Sequence, residues 1–263
     1  MSHLSSRVAR LGALACFLLL LVAPAGAAAA DRYVALGDSF SSGVGTNSYT
    51  LSSSCKRGVF AYPYLISQQR PNTALDFVAC SGATTSSLMA NQIQAVNTAT
   101  TIVTVTIGGN DVRFADLIAQ CTLGECSSTL DSTKASLTTV LVPRLDTVYA
   151  AIRNQAASGA RVAVLGYPRI FGSAGCFGTL GVSTTERTKA NQLAEALDGV
   201  IAARAAFYGF TYKSALASWS THAVCSSSPW LNGLNIFNTT ESYHPNRNGN
   251  SQGYVPLARA VIG

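Results

Sequence analysis

The stretch Thr101-Ile-Val-Thr-Val-Thr-Ile-Gly-Gly-Asn-Asp111 decides the fold. Its first seven residues are β-branched throughout, which stiffens χ1 and favours an extended strand. Gly108-Gly109 then ends the run, and two polar residues follow at its carboxyl end. Working outward, Arg32-Tyr-Val-Ala-Leu36, Ala74-Leu-Asp-Phe-Val-Ala79 and Arg161-Val-Ala-Val-Leu165 read as further strands, with Phe210-Thr-Tyr212 a weaker fifth. Asp131–Ser158 and Ser183–Tyr208 carry apolar residues at three- and four-residue spacing, as amphipathic helices do. Ser183-Thr-Thr-Glu186 also has the capping-box form that opens a helix. Strands alternating with helices predict an α/β domain whose parallel sheet is covered on both faces. In such sheets the ligand site lies beyond the carboxyl ends of the strands.

The chain has 263 residues, with no internal repeat and no low-complexity linker. Residues 1–30 have the form of a secretory signal peptide: Arg7 and Arg10, an apolar run from Leu11 to Pro24, then an alanine-rich cleavage zone. That run falls short of the roughly 20 apolar residues a membrane-spanning helix needs. The expected division is therefore a leader over 1–30 and one domain over 31–263, in a secreted protein. Dropping the leader's two arginines lowers the net charge from +6 to +4. No basic run or aromatic-basic ladder accompanies that charge, so nucleic-acid binding has little support. Modest attraction to anionic lipid surfaces is compatible with it.

Without Cys16 the count of seven cysteines becomes six: Cys55, Cys80, Cys121, Cys126, Cys176 and Cys225. An even number in an exported chain reads as three disulfides, with fifteen connectivities formally open and sequential pairing the simplest. A metal site is not expected, because there is no CxxC and only two histidines, His222 and His244, remain.

Three strand ends carry turns suited to chemistry. The first strand runs into Gly37-Asp38-Ser39-Phe40, the second into Cys80-Ser-Gly82-Ala-Thr84, and the third into Gly108-Gly-Asn110-Asp111. Glycine lets backbone approach a ligand closely, and Asn110 supplies a side-chain NH₂ donor. A serine nucleophile needs a base with a pKa near 7, which histidine offers. His222, beside Cys225, reads as structural or exposed, whereas His244 stands in Glu241-Ser-Tyr-His-Pro-Asn246. Asp38 and Asp111 read as turn residues that accept from backbone N–H groups.

Gly37-Asp38-Ser39, Gly82, Gly108-x-Asn110-Asp111 and His244-Pro245 occur in the order and spacing of the SGNH (GDSL) hydrolase superfamily. The resemblance spans essentially all of residues 31–263. With the size and six cysteines, the chain is most similar to the secreted actinobacterial lipases and phospholipases A1 of that group. The resemblance implies a three-layer α/β/α, flavodoxin-like domain. It implies Ser39 as nucleophile and His244 as general base and then acid. The oxyanion hole would comprise the Ser39 N–H, the Gly82 N–H and the Asn110 amide. No cofactor and no metal is implied.

Two positions depart from the family pattern. Phe40 stands where leucine is usual. Glu241 stands where the family places the aspartate that orients its histidine. Either Glu241 replaces that aspartate, or the backbone carbonyl of Ser242 takes the Nδ1–H bond and leaves a Ser–His pair. The extra methylene of glutamate moves its carboxylate outward, which favours the carbonyl. A G-x-S-x-G elbow is absent, since Ser39 is followed by Phe40-Ser41.

The family's chemistry is hydrolysis of a carboxylic ester through an acyl-enzyme. Fatty-acyl esters, glycerolipids and phospholipids among them, are the first expectation, acted on by a monomer. Carbohydrate acetyl esters are the alternative, and a non-catalytic secreted binding protein is a third reading. Pro229-Trp-Leu231 and Leu234-Asn-Ile-Phe237 are unusually apolar for loops. They would either line an acyl groove or touch lipid, or else be buried against the domain.

Overall fold

In the computed structural model, which describes residues 31–263, five parallel strands form one sheet. The strands are β1 (Asp31–Gly37), β2 (Thr73–Phe77), β3 (Ile102–Thr106), β4 (Arg161–Leu165) and β5 (Thr211–Lys213). Their spatial order is β2-β1-β3-β4-β5. The leader expected over residues 1–30 lies outside the described residues. In register, Tyr33 faces Leu75 on one side and Ile102 on the other, and Val103 faces Val162. The three central strands are buried almost end to end, which explains why they read as continuous apolar or β-branched runs rather than as alternating ones.

The helices are α1 (Ser39–Ser42), α2 (Tyr62–Gln68), α3 (Thr85–Asn91), α4 (Phe114–Cys121), α5 (Ser127–Gln155), α6 (Thr184–Phe207) and α7 (Val255–Ile262). Right-handed crossovers put α2 on one face and α3, α5 and α6 on the other, because the chain reverses direction across the sheet after β2. The packing agrees: α2 meets α7, while α5 lies along α6 and against α3. Helix α5 turns Leu137, Leu141, Leu145, Val148 and Ile152 into the core, and α6 turns Leu193, Leu197 and Ile201. At the start of α6 the expected capping box is formed. The Glu186 N–H donates to Ser183 Oγ at 3.3 Å, and the Ser183 N–H to Glu186 Oε2 at 2.9 Å.

Helix α5 begins four residues before the expected Asp131. Its start is fixed by a distant partner, since the Cys126 N–H donates to Glu186 Oε1 at 2.8 Å. The disulfides join Cys55 to Cys80, Cys121 to Cys126 and Cys176 to Cys225. Among the described residues no helix is long and apolar enough to cross a membrane.

Candidate active site

The order β2-β1-β3 makes the gap between β1 and β3 the point where the chain's direction across the sheet switches, and crevices open at such points. Both strands end there in tight turns. Gly37 has φ +133°, and a Cβ on it would lie 2.5 Å from both Ser41 Oγ and Thr106 O, so only glycine fits. The Asp38 N–H donates to Thr106 O at 3.0 Å, and its carboxylate caps α1 by accepting from the Phe40 N–H at 2.9 Å. Ser39 is thereby placed at the first position of a single helical turn on the sheet's rim.

His244 reaches Ser39 from 205 residues away, with Nε2 at 2.8 Å from Ser39 Oγ. Its Nδ1 lies 2.9 Å from the carbonyl oxygen of Ser242. A carbonyl only accepts, so Nδ1 carries the proton and the Nε2 lone pair faces the hydroxyl. Tyr243, just before the histidine, adopts φ +60°, a left-handed conformation rare for a bulky residue and concentrated at functional sites. Asn232 holds this loop. Its side chain donates to Gly45 O at 2.9 Å and Glu241 O at 3.1 Å, and its N–H donates to His244 O at 2.9 Å.

Burial pushes the His244 imidazole down to about 4, opposed only in part by the carbonyls of Ser242 and Thr240. The ring is therefore neutral at ordinary pH, with its base form ready. Phe40 packs on it at 5.4 Å between ring centroids.

Gly82 and Asn110 stand on the loops that follow β2 and β3. Gly82 has φ +78°, is exposed, and has open space where a Cβ would stand. Among the described residues neither the Ser39 N–H nor the Gly82 N–H is used by another group. One hydrogen of the Asn110 amide is taken by Ala83 O at 3.0 Å, which fixes the side chain and leaves the other for a ligand. Asp111 ties the two loops together, accepting from the Thr85 N–H at 2.9 Å and the Thr85 hydroxyl at 2.6 Å.

One buried tyrosine braces all of this. The Tyr167 hydroxyl, just past β4, donates to the Asp38 carboxylate and accepts from the Gly109 N–H at 3.0 Å. It therefore links the serine turn to the asparagine turn, and Phe40 packs edge-on against its ring at 5.0 Å. Burial pushes the Asp38 carboxyl up to about 7, against the hydrogen bonds from Tyr167 and Phe40.

Glu241 lies beside the histidine in sequence but not in bonding. Its carboxylate accepts from the Tyr49 hydroxyl and from the Asn47 N–H, the latter at 3.2 Å. His222 stacks on Trp230 at 3.7 Å and takes no part in the site. Among the described residues, the one cluster of metal-ligand types is Cys121, Cys126 and Glu186, and its two sulfurs are bonded to each other.

The family model for the GDSL-like lipase/acylhydrolase family matches residues 35–252. That span contains all four turns just described. The chain belongs to that family. "Lipase 1" of Streptomyces coelicolor is 43% identical over 236 residues, covering 88% of this chain and 86% of the relative. An extracellular lipase from Streptomyces rimosus superposes with a TM-score of 0.83 at 41% identity, over 88% of this chain and 100% of that one. A phospholipase A1 from Streptomyces albidoflavus gives 0.84 at 41% identity, over 89% and 100%. As a family member the chain is a carboxylic ester hydrolase of the esterase and lipase type. The family's usual leucine after the serine is here Phe40, and its ring spans the gap between His244 and Tyr167.

The apolar loops divide between the two expected roles. Trp230 and Leu231 are buried in the domain. Ile236 and Phe237 are 56% and 95% exposed, and with Phe177, Leu234, Asn47 and Glu241 they line a groove of about 420 Å³.

Proposed function

We propose that the protein is an exported lipase or esterase that cleaves fatty-acyl esters, including those of glycerophospholipids, through an acyl-enzyme on Ser39. The observation that carries this reading is the 2.8 Å contact between His244 Nε2 and Ser39 Oγ, with the other ring nitrogen held on the Ser242 carbonyl. As Oγ attacks the ester carbon, Nε2 takes its proton. The imidazolium then hands that proton to the departing alkoxide. A water molecule repeats the sequence to release the fatty acid.

The developing oxyanion meets three donors: the Ser39 N–H, the Gly82 N–H and the free Asn110 hydrogen. Each such donor accounts for about 2.7–4 kcal/mol of barrier lowering. The low affinity of the buried ring for a proton suits this scheme. Its positive charge is disfavoured in the resting site and becomes favourable once the oxyanion forms nearby. The Ser242 carbonyl is the orienting group, so the machinery is a Ser–His pair. The exposed groove beside the His244 loop offers an acyl chain the apolar side chains of Phe177, Leu234, Ile236 and Phe237 along an otherwise polar wall, and residues 1–30 serve as the export signal.

The test is hydrolysis of p-nitrophenyl acetate, octanoate and palmitate and of phosphatidylcholine by the parent and Ser39→Ala. The variant is expected to lose all four activities, and the parent to prefer the longer chains. Retained activity in Ser39→Ala refutes the mechanism. A preference confined to acetate points instead to an acetylesterase.

A further inference from the structure

A second cavity, of about 490 Å³, meets the site at Gly82. Its walls include Arg57, Ser81, Gly82, Ala83 and the Cys55–Cys80 bridge, and no acidic residue lines it. Arg57 is an unusual occupant of such a wall. It is partly buried, it has no carboxylate partner among the described residues, and only one of its guanidinium nitrogens is hydrogen-bonded, Nη1 donating to Ala79 O at 3.2 Å, while the group lies 6.0 Å from the Phe77 ring centroid. Burial lowers its affinity for the proton, so the folded chain holds a cation where desolvation disfavours one.

The backbone that carries the arginine is also fixed in place. Its own N–H donates to Ser52 O at 2.9 Å, and the Ser52 N–H returns to Arg57 O at 3.2 Å. The disulfide ties this hairpin to Cys80, and the Ser81 N–H donates to Cys55 O at 3.0 Å. The Ser81 hydroxyl has no partner among the described residues, and Ser81 lines the same cavity. A guanidinium with spare donors on a fixed backbone, one free hydroxyl and no opposing carboxylate make a receptor for a phosphate-like anion.

We infer that Arg57, with Ser81, binds the phosphodiester of a glycerophospholipid whose scissile ester lies over Ser39 and Gly82. This rests on the esterase reading above and deepens it. In such a lipid the phosphorus is only a few bonds from the ester carbonyl, and the cavity begins at the residue whose N–H faces that carbonyl. The head group lies on the Gly82 side, and the acyl chain runs toward the groove beside His244.

The test compares phosphatidylcholine with a diacylglycerol of the same chains, in the same neutral detergent micelles. Arg57→Gln is expected to lower the ratio of kcat/KM values, phospholipid to diacylglycerol, by about tenfold or more, the size of a lost charge-assisted pair. Arg57→Lys keeps the charge without the fork and restores part of the ratio. Independently of any variant, sn-glycero-3-phosphocholine should compete with phosphatidylcholine for the parent enzyme, whereas glycerol should not. An unaltered ratio, a fall shared equally by both lipids, or no competition by the phosphodiester overturns the proposal. Failure of the parent to cleave the diacylglycerol or any other ester overturns the esterase reading instead, and this inference with it.

Discussion

Replacing Glu241 with Gln removes a buried negative charge while preserving shape, and it separates two mechanisms that share most of their residues. Two hydrogen bonds end on the carboxylate, from the Tyr49 hydroxyl and the Asn47 N–H. Glutamine keeps one acceptor oxygen, which takes the Asn47 N–H, while its NH₂ must reverse the other contact and donate to the Tyr49 hydroxyl oxygen. Each bond thus falls from charge-assisted to neutral, a loss of about 1 kcal/mol apiece, so the fold should weaken by about 1–2 kcal/mol. For a chain of this size that lowers Tm by about 2–8 °C. The histidine's own contact, Nδ1 to Ser242 O at 2.9 Å, is untouched. We therefore expect kcat on a soluble p-nitrophenyl ester to fall by less than about tenfold. Where a carboxylate truly orients the histidine, the corresponding amide substitution costs about 10⁴ in kcat. Steady-state kinetics at neutral pH, with thermal unfolding of the same samples, checks both numbers. A loss of a thousandfold or more in a variant that still folds would refute the Ser–His reading and restore Glu241 to the machinery.

The acid limb of kcat/KM should lie well below the usual histidine range, near pH 4, because the base form of His244 persists until its lowered pKa is reached. A limb between pH 6 and 7 would contradict the burial argument. Stability should respond to pH through two opposed groups. The stability held in neutral His244 is present above pH 6.5 and lost as pH falls through about 4. That held in protonated Asp38 is present below pH 3.8 and lost as pH rises through about 7. Asp38→Asn removes the second, so its unfolding free energy should fall more steeply between pH 6.5 and 4 than the parent's, as denaturant titration at each pH will show; parallel curves would count against it. Tyr167→Phe leaves the Gly109 N–H unpaired in the interior, costing about 1–3 kcal/mol. It should lower kcat more than it changes KM, since the two turns it links carry proposed oxyanion donors, the Ser39 N–H and the Asn110 amide; unchanged kcat would limit Tyr167 to a packing role.

Much of the site was legible because its chemistry sits in local turns. Gly37-Asp38-Ser39 and Gly108-Gly109-Asn110 each announce a strand end by composition, and the strands before them are unbroken apolar or β-branched runs. The start of α6 was legible for the same reason, its cap being complete within Ser183–Glu186. What escaped depends on partners far along the chain. Tyr167 looks like any tyrosine after a strand, yet its hydroxyl joins residues 129 and 58 positions away. Asn232 holds Gly45 across 187 positions, and nothing in either segment hints at it. The left-handed Tyr243 is the reverse of what its side chain prefers, so propensity could only mislead there. The start of α5 was misplaced because a glutamate sixty residues later fixes it. Residue type showed that Ile236 and Phe237 were apolar, but only packing distinguishes them from buried Trp230 and Leu231.

The contact between Ser39 and His244 also has a meaning in time. It closes a loop of 205 residues, and every strand of the sheet lies within or just before that loop. Long-range pairings of this kind form late, after the entropy of closing the intervening chain has been overcome. A chain released from the ribosome before residue 244 holds a serine in its turn with nothing to take its proton. Ester hydrolysis is therefore among the last properties such a chain acquires, and its return during refolding marks completion of the whole sheet rather than of any part of it.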